Sequence, residues 1–176
     1  MNNKLETTRR ALLDNSKENL VDLVLSYLFP GSKECKPNIW KDSIILTGLH
    51  THQEALDKCP DGYRLPTKDE FVELKRDTKY SFEDGFGIFE FEDGFELRLP
   101  ASGSRSSGSG ELYYQGSNGA YWSTTINGSN AFNLNFNSGT IIPANSNNRA
   151  NGFALRCVKN LRGRMLLSQT IFFLCE

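Results

Sequence analysis

Apolar residues recur at helical spacing near the start of the chain. Between residues 7 and 29 they stand three or four positions apart, on one side of a helix. Pro30 and Gly31 follow directly, and this pair is typical of a helix end. The pattern predicts an N-terminal helical segment over residues 1–34. Because its leucine-rich face needs burial, we expect it to pack on the rest of the chain or to form a homo-oligomer contact.

Two helix-start signals stand in the next part of the chain. Thr51 precedes Glu54 by three residues, and Thr67 precedes Glu70 by three residues. In such a capping box the threonine hydroxyl and the glutamate carboxylate each accept a hydrogen bond from the other residue's backbone amide. The sequence therefore predicts short helices over residues 51–58 and from residue 67 to about 76. The buried side of the second helix is expected to hold Phe71, Leu74 and Val72.

Elsewhere apolar and polar positions alternate with the period of a β-strand. The alternation predicts a hairpin over residues 88–99, with a three-residue loop that ends at Gly94 and pairs Phe89 with Leu97. Further short strands are predicted at residues 43–47, 120–124, 131–137, 140–142 and 152–159. The serine- and glycine-rich residues 102–110 are interpreted as a long surface loop inside one domain. The fold class is therefore α+β.

Composition limits the partners of the chain. The formal net charge is −1, so no basic field favours nucleic acid. Residues 1–10 are polar and charged, which argues against a secretory signal peptide. No apolar run is long enough for a membrane span. We expect a cytoplasmic or virion-associated protein, with delivery to a surface as the alternative.

Candidate metal ligands and acids are sparse. The four cysteines form no CxxC pair, which argues against a zinc site, and without an export signal reduced thiols are the expected state. His50 and His52 are interpreted as a surface pair at a helix start rather than as metal ligands with Cys59. Acidic residues within residues 83–96 are interpreted as a solvated hairpin face rather than as catalytic carboxylates. The sequence thus predicts no cofactor and no metal.

Asparagine is unusually dense after residue 126. Its preference for turns accounts for Asn127, Asn145 and Asn151. It accounts poorly for the asparagines of the predicted strand 131–137, because asparagine is depleted in strands. There the alternation sends Leu134 and Phe136 inward and the intervening asparagines outward. A row of exposed amides would form an adaptable hydrogen-bonding surface.

Three segments in fixed order resemble a known fold family. They read CPDGYRLPT from Cys59, LPASGSR from Leu99 running into GAYWSTT from Gly119, and NRANGFALRCV from Asn148. Together they resemble the bacterial and phage branch of C-type-lectin-like domains. That branch includes the Fibrobacter-type major paralogous domain and the variable proteins of diversity-generating retroelements. The resemblance covers about residues 40–159, and it implies a ligand-binding domain at 35–160, followed by a tail of unknown role at 161–176.

The resemblance implies a C-type lectin-like fold with two short helices and a mixed, mainly antiparallel sheet around Trp122. It also suggests a disulfide between Cys59 and Cys157, with two buried free thiols as the alternative. Retroelement variable proteins are diversified at adenines, and asparagine codons begin with two adenines. The family therefore implies a diversifiable ligand-binding face formed by Tyr121, Ser123, Thr125, Asn127, Asn130, Asn133, Asn135, Asn137, Asn145, Asn147 and Asn148.

The expected function is non-enzymatic binding of an unknown ligand, a protein in preference to a glycan. A lectin-type calcium site is rejected because no Asp or Glu occurs between Tyr121 and Lys159. Formylglycine-generating enzymes have this fold but need a reactive cysteine pair in the C-terminal half, and Cys157 on a core strand does not provide one. Such an enzyme and an undiversified lectin-like structural or adhesion module are the alternatives.

Overall fold

The computed structural model of the protein describes residues 38–160. The predicted N-terminal helix and the C-terminal tail lie outside the described residues. The described part contains two helices, α1 (His52–Lys58) and α2 (Lys68–Asp77). Its strands are β1 (Ile44–His50), β2 (Tyr63–Arg64), β3 (Thr78–Glu83), β4 (Phe86–Phe91), β5 (Glu96–Pro100), β6 (Ser104–Arg105), β7 (Leu112–Tyr113), β8 (Asn118–Asn127), β9 (Asn130–Asn137), β10 (Ile141–Asn148) and β11 (Phe153–Lys159).

The main sheet runs in the order β1-β11-β8-β9-β10, and β2 also pairs with β11. Strands β8 and β11 are parallel, while the other pairings of this sheet are antiparallel. Strands β3, β4 and β5 form a second sheet, and β6 pairs with β7. The α+β class is confirmed, with a mixed main sheet.

Both helix predictions are confirmed. Thr51 and Thr67 are the N-caps, and both capping boxes are formed in full. Phe71 and Leu74 are buried as predicted, but Val72 is 41% exposed, so its predicted burial is wrong. One residue after Phe71 the helix has turned by about 100°, which carries Val72 off the apolar stripe.

The hairpin prediction is also confirmed. Phe89 stands opposite Leu97, the Phe91 amide donates to the Phe95 carbonyl oxygen at 2.9 Å, and Gly94 has a left-handed φ of 79°. The acidic residues within 83–96 are exposed, as expected for a solvated face. Strand β3, which pairs with β4, was not predicted, although Tyr80 and Phe82 alternate with polar residues and pack on the core.

The other predicted strands exist with longer or shifted bounds. Strand β10 extends to Asn148, six residues past the predicted end at residue 142. The serine- and glycine-rich segment contains β6, which pairs with β7. Pro143 and the run of asparagines resemble a turn in sequence, which explains the early predicted end of β10.

Two buried clusters pack on the main sheet. One contains Tyr121, Leu134 and Phe136 with Phe71 and Leu74 of α2. The second includes the following buried residues: Ala55, Leu65, Trp122, Phe153, Leu155 and Cys157. A disulfide joins Cys59, the C-cap of α1, to Cys157 in β11, with a Cα–Cα distance of 5.7 Å. Cys59 and Cys157 are therefore bonded to each other and are not the reduced thiols expected from the absence of an export signal.

Candidate ligand-binding surface

Strands β8, β9 and β10 position most of the asparagine-rich segment. Asn133 of β9 stands opposite Trp122 of β8 on one side and Asn145 of β10 on the other. Asn135 stands opposite Ile142. Since directly opposed residues of antiparallel strands project from the same face, all five side chains belong to the face that carries Trp122.

The opposite face of the same strands is core, as the alternation predicted. Leu134 and Phe136 are fully buried there, and the Phe136 ring stacks on Tyr121 at a centroid distance of 6.0 Å. Gly119 stands opposite Phe136, and any β-carbon at this position would collide with the ring. The scaffold role of Leu134 and Phe136 is confirmed.

The face that carries Trp122 is covered along only part of its width. Helix α1 contacts β1 and β8, and Trp122 is fully buried, with its indole N–H donating to the His50 carbonyl oxygen at 2.8 Å. Farther across the sheet, Asn135, Asn145 and Asn147 are half-buried. We use the name amide surface for Asn133, Asn135, Asn145 and Asn147 on β9 and β10.

Within the amide surface, the prediction that Asn133 is exposed is wrong. Its side chain is fully buried, and its Oδ1 accepts a hydrogen bond from Asn147 Nδ2 at 2.8 Å. Its own Nδ2 donates to the Leu134 carbonyl oxygen at 3.3 Å. Asn133 stands directly beside Trp122, at the boundary of the covered region, which explains its burial. It holds Asn147 in position and does not itself face solvent.

Two further predicted ligand residues, Tyr121 and Ser123, are buried. The Tyr121 hydroxyl donates to the Pro100 carbonyl oxygen at 2.8 Å, and burial raises the pKa of the phenol. The Ser123 hydroxyl donates to the Phe132 carbonyl oxygen at 2.8 Å. Neither side chain faces solvent, so their assignment to the ligand-binding face is wrong.

An irregularity in β8 accounts for the burial of Ser123 and for the position of Thr125. The register with β9 shifts between Trp122 and Ile126, and the Thr125 amide donates to the Ser123 hydroxyl at 3.2 Å. Thr125 is half-buried, and its hydroxyl accepts from the Lys68 amide at the start of α2. A strict period of two cannot predict this break in β8.

The other predicted site asparagines lie away from the amide surface. Asn127, Asn130 and Asn148 are register partners at one end of the three strands, and Asn130 projects from the Leu134 side of β9. Asn137 lies at the opposite end of β9, where its Oδ1 accepts from the Gly139 and Thr140 amides. The eleven residues predicted as one face are therefore divided between two faces and both strand ends.

Two exposed residues beside the amide surface were not predicted as part of the site. Ile126 is 52% exposed and stands opposite Ala131, while Ile142 is 45% exposed and stands opposite Asn135. Both project from the same face as the amide surface. A period of two counted from Asn145 would assign Ile141 to this face, and only the register shift between Ile142 and Asn145 places Ile142 there.

The histidine interpretation is corrected for His52. Its ring is fully buried, packs edge-on against Trp122 at 5.3 Å, and donates through Nε2 to the Ser123 carbonyl oxygen at 2.9 Å. Burial lowers the pKa of this imidazole. Because the sulfur of Cys59 is held in the disulfide, the three residues do not form a metal site. Across residues 38–160, no group of three His, Cys, Asp or Glu residues is arranged to hold a metal ion.

The amide surface offers hydrogen-bond donors and acceptors on neighbouring strands of the main sheet. Among residues 38–160 no helix has the length and apolar character to cross a bilayer. Comparison of the chain with protein-family models, with curated proteins and with solved structures gave no match.

Proposed function

We propose that this chain is a non-enzymatic binding protein and that the amide surface holds its ligand. The observation that carries the proposal is the position of Asn135, Asn145 and Asn147. They stand half-exposed on a sheet face whose other part is sealed by Trp122 and α1. Each amide offers both donors and an acceptor, so exchange of these side chains changes what the surface recognises while the sheet persists.

The same proposal places the chain with the C-type-lectin-like variable proteins of diversity-generating retroelements. Support comes from the two short helices, from the parallel pairing of β8 with β11 in a mixed sheet, and from the Cys59–Cys157 bond between α1 and β11. Trp122 at the centre of a core cluster adds to it. The division of β9 into buried Leu134 and half-exposed Asn135 matches what diversification requires, which is a fixed scaffold beside replaceable side chains.

We propose a protein as the ligand. Ile126 and Ile142 project from the same face as the amides and expose apolar area that a protein partner would cover. The aromatic residue of this face in β8 is Trp122, which is fully buried and offers no ring for a sugar to stack on. Uncharged amides beside exposed aliphatic side chains make a mixed polar and apolar surface without charge, and protein interfaces are likewise mixed and depleted of charge at their centre.

The enzymatic alternative has less support. A formylglycine-generating mechanism needs a reactive thiol, and Cys157 is fully buried and bonded to Cys59. An undiversified lectin-like module would have the same scaffold but would not vary at the amide codons.

The locus tests the diversification directly. Deep sequencing of the coding segment from many independent cultures should find substitutions at adenines in the codons of Asn135, Asn145 and Asn147. The codons of Trp122 and Leu134 provide the internal control and should stay constant. A segment with the same low variation at all five codons would favour the undiversified module.

A display library tests the surface itself. Randomising Asn135 and Asn145, while keeping Asn147 as the partner of the buried Asn133, and selecting against a defined protein such as lysozyme should yield folded binders. A matched library at the exposed strand residues Ser81 and Glu83 should yield far fewer. Equal yields from the two libraries, or loss of folding in the first, would contradict the assignment of the binding site.

A further inference from the structure

The β6–β7 hairpin presents three consecutive residues with large exposed side chains. Leu112 is 47% exposed, Tyr113 is 41% exposed and Tyr114 is 66% exposed. They lie outside the amide surface, and the proposed function above assigns them no role. Exposed tyrosines on a well-held backbone are common anchors in protein interfaces.

The backbone that carries the tyrosines is firmly held. Tyr114 has a φ of 59°, which is rare for a bulky residue and persists only where neighbouring contacts enforce it. Its carbonyl oxygen accepts from the Ser117 amide, the Ser117 hydroxyl and the Asn118 amide at 3.0–3.1 Å. Gly103 packs so closely on this segment that a β-carbon there would overlap the Tyr113 carbonyl oxygen. The two rings therefore stand on a rigid support.

A carboxylate is hydrogen-bonded to Tyr113, whose ring lies next to that of Tyr114. The Tyr113 hydroxyl donates to Glu111 Oε2 at 2.7 Å, and the Tyr113 and Tyr114 ring centroids are 6.2 Å apart. This grouping of negative charge and aromatic faces attracts a cation in two ways, by direct Coulomb attraction and through the ring quadrupoles. The chemistry of the cluster thus fits an ammonium or guanidinium group.

Elsewhere in the chain, a lysine or arginine side chain contacts both a carboxylate and a nearby aromatic ring. Lys41 Nζ lies 2.5 Å from Asp93 Oδ2 and 5.8 Å from the centroid of Phe95, so one ammonium group satisfies both a carboxylate and a ring. Asp93 and Phe95 are two residues apart, as are Glu111 and Tyr113.

Arg98 repeats the arrangement on β5. Its guanidinium lies 3.5 Å from Glu96 Oε2 and 5.5 Å from the centroid of Phe86. In the described part of the chain, by contrast, Glu111 forms no ion pair, and no Lys or Arg lies over Tyr113 or Tyr114.

We propose that Glu111, Tyr113 and Tyr114 form a docking site for a lysine or arginine side chain of a partner protein. The cluster is an exposed hairpin surface rather than an enclosing cleft, so a small free amine would bury little area on it. A protein partner that inserts a basic side chain also covers Leu112 and excludes water from the charge pair. This site does not share residues with the amide surface, so either proposal can be correct if the other is contradicted.

The test uses the full chain and two model peptides followed by NMR. The probe is the peptide Ac-Leu-Lys-Leu-NH2, and its control is the same peptide with the lysine amine acetylated. The cationic peptide should shift the backbone amides of residues 111–117, and the neutral peptide should not. Glu111→Gln and Tyr114→Asn should each weaken the response by about two- to fivefold, as expected for exposed charge and cation–π contacts.

Both variants are chosen to preserve the fold. Asparagine tolerates the left-handed backbone of Tyr114, and Glu92→Gln provides a matched neutralisation at an exposed carboxylate. The site is supported if Glu111→Gln reduces the chemical-shift response to the cationic peptide and Glu92→Gln leaves that response unchanged. Equal shifts from the acetylated peptide, a stronger response to methyl glucoside, or tighter binding of tetramethylammonium than of the peptide would overturn it.

Discussion

The sheet face that carries Trp122 has a covered part and an open part, and the two differ in the burial of their side chains. In the covered part, Trp122 packs against Phe153 at 4.3 Å and against the edge of His52. In the open part, Asn135 and Asn145 project from strands of the same sheet and are only half-buried. Along β9 the alternation is unbroken from Asn133 to Asn135, so the difference in burial between these two residues arises from what lies over the strand.

Whether a side chain on this face is buried depends on what packs over it, and not only on which side of the strand it projects from. Asn133 and Asn135 are two residues apart on β9 and project from the same side. Asn133 stands beside Trp122 and is fully buried, whereas Asn135 is half-exposed. The boundary between the two parts therefore falls within β9. Substitutions in the covered part should cost more stability than substitutions in the open part.

The largest effect is expected from removing the bond that attaches α1 to the sheet. Cys59 and Cys157 are separated by 98 positions, and a crosslink that closes a loop of about this length contributes roughly 4–5 kcal/mol. The double variant Cys59→Ala, Cys157→Ala should lower the free energy of unfolding by that amount, as measured by urea denaturation. A loss below about 1 kcal/mol would show that the covered part does not depend on the bond.

Trp122→Ala is expected to cost about 3–5 kcal/mol, because a large, fully buried aromatic is removed. The indole also donates to the His50 carbonyl oxygen, which would lose its partner. Trp122→Phe keeps most of the volume and should cost less, which separates packing from the hydrogen bond. A chemical denaturation midpoint that barely moves in Trp122→Ala would mean that the covered part is not a core.

Asn133→Ala should cost about 1–3 kcal/mol, since it leaves the Asn147 amide without its acceptor at the edge of the core. Asn133→Asp keeps the shape and buries a carboxylate, so it should destabilise further. The thermal unfolding midpoints of the two variants would show which of them is destabilised more. If Asn133→Ala left the midpoint unchanged, Asn133 would belong to the open part after all.

Local sequence signals were sufficient for both helices and for the β4–β5 hairpin, but not for strand β3, for the full length of β10 or for which residues the fold buries. Capping boxes and the Gly94 loop depend on neighbouring residues, so the helices and the hairpin were predictable from local signals. Tyr121 is buried by Phe136 and the residues of α2 on its face, Ser123 is buried at the irregularity in β8, and Asn133 is buried beside Trp122. These are long-range features, and a period of two assigns sides without saying what covers them.

A smaller effect should appear when the covered part is acidified. Burial lowers the pKa of His52 in the folded state, below the value of about 6.5 expected for the unfolded chain. The neutral ring thus contributes stability that is fully present above pH 6.5 and is lost as the pH falls towards the folded-state pKa. Arg149, the charged group that also lowers this pKa, acts in the same direction.

Urea denaturation at pH 7.5 and pH 5.5 measures the contribution of His52. The wild-type chain should lose stability on acidification, and His52→Gln should lose less over the same interval, because it has no ring to protonate. Glu54 stays charged across this range, since its pKa is lowered by the hydrogen bonds from Thr51, and it should not contribute. If both chains lost the same free energy of unfolding on acidification, groups other than His52 would account for the pH dependence.

The smallest effect is expected from Asn135→Ala, in the open part of the face. The side chain is half-exposed and faces solvent, so truncation should change the free energy of unfolding by no more than about 0.5 kcal/mol. Its neighbour Asn133, two residues away on the same side of the strand, is the matched comparison, and the two variants should differ severalfold. A single denaturation series on both would locate the boundary of the cover. Equal costs for the two would mean that the open part is as buried as the covered part, and the amide surface would then have no replaceable side chain on β9.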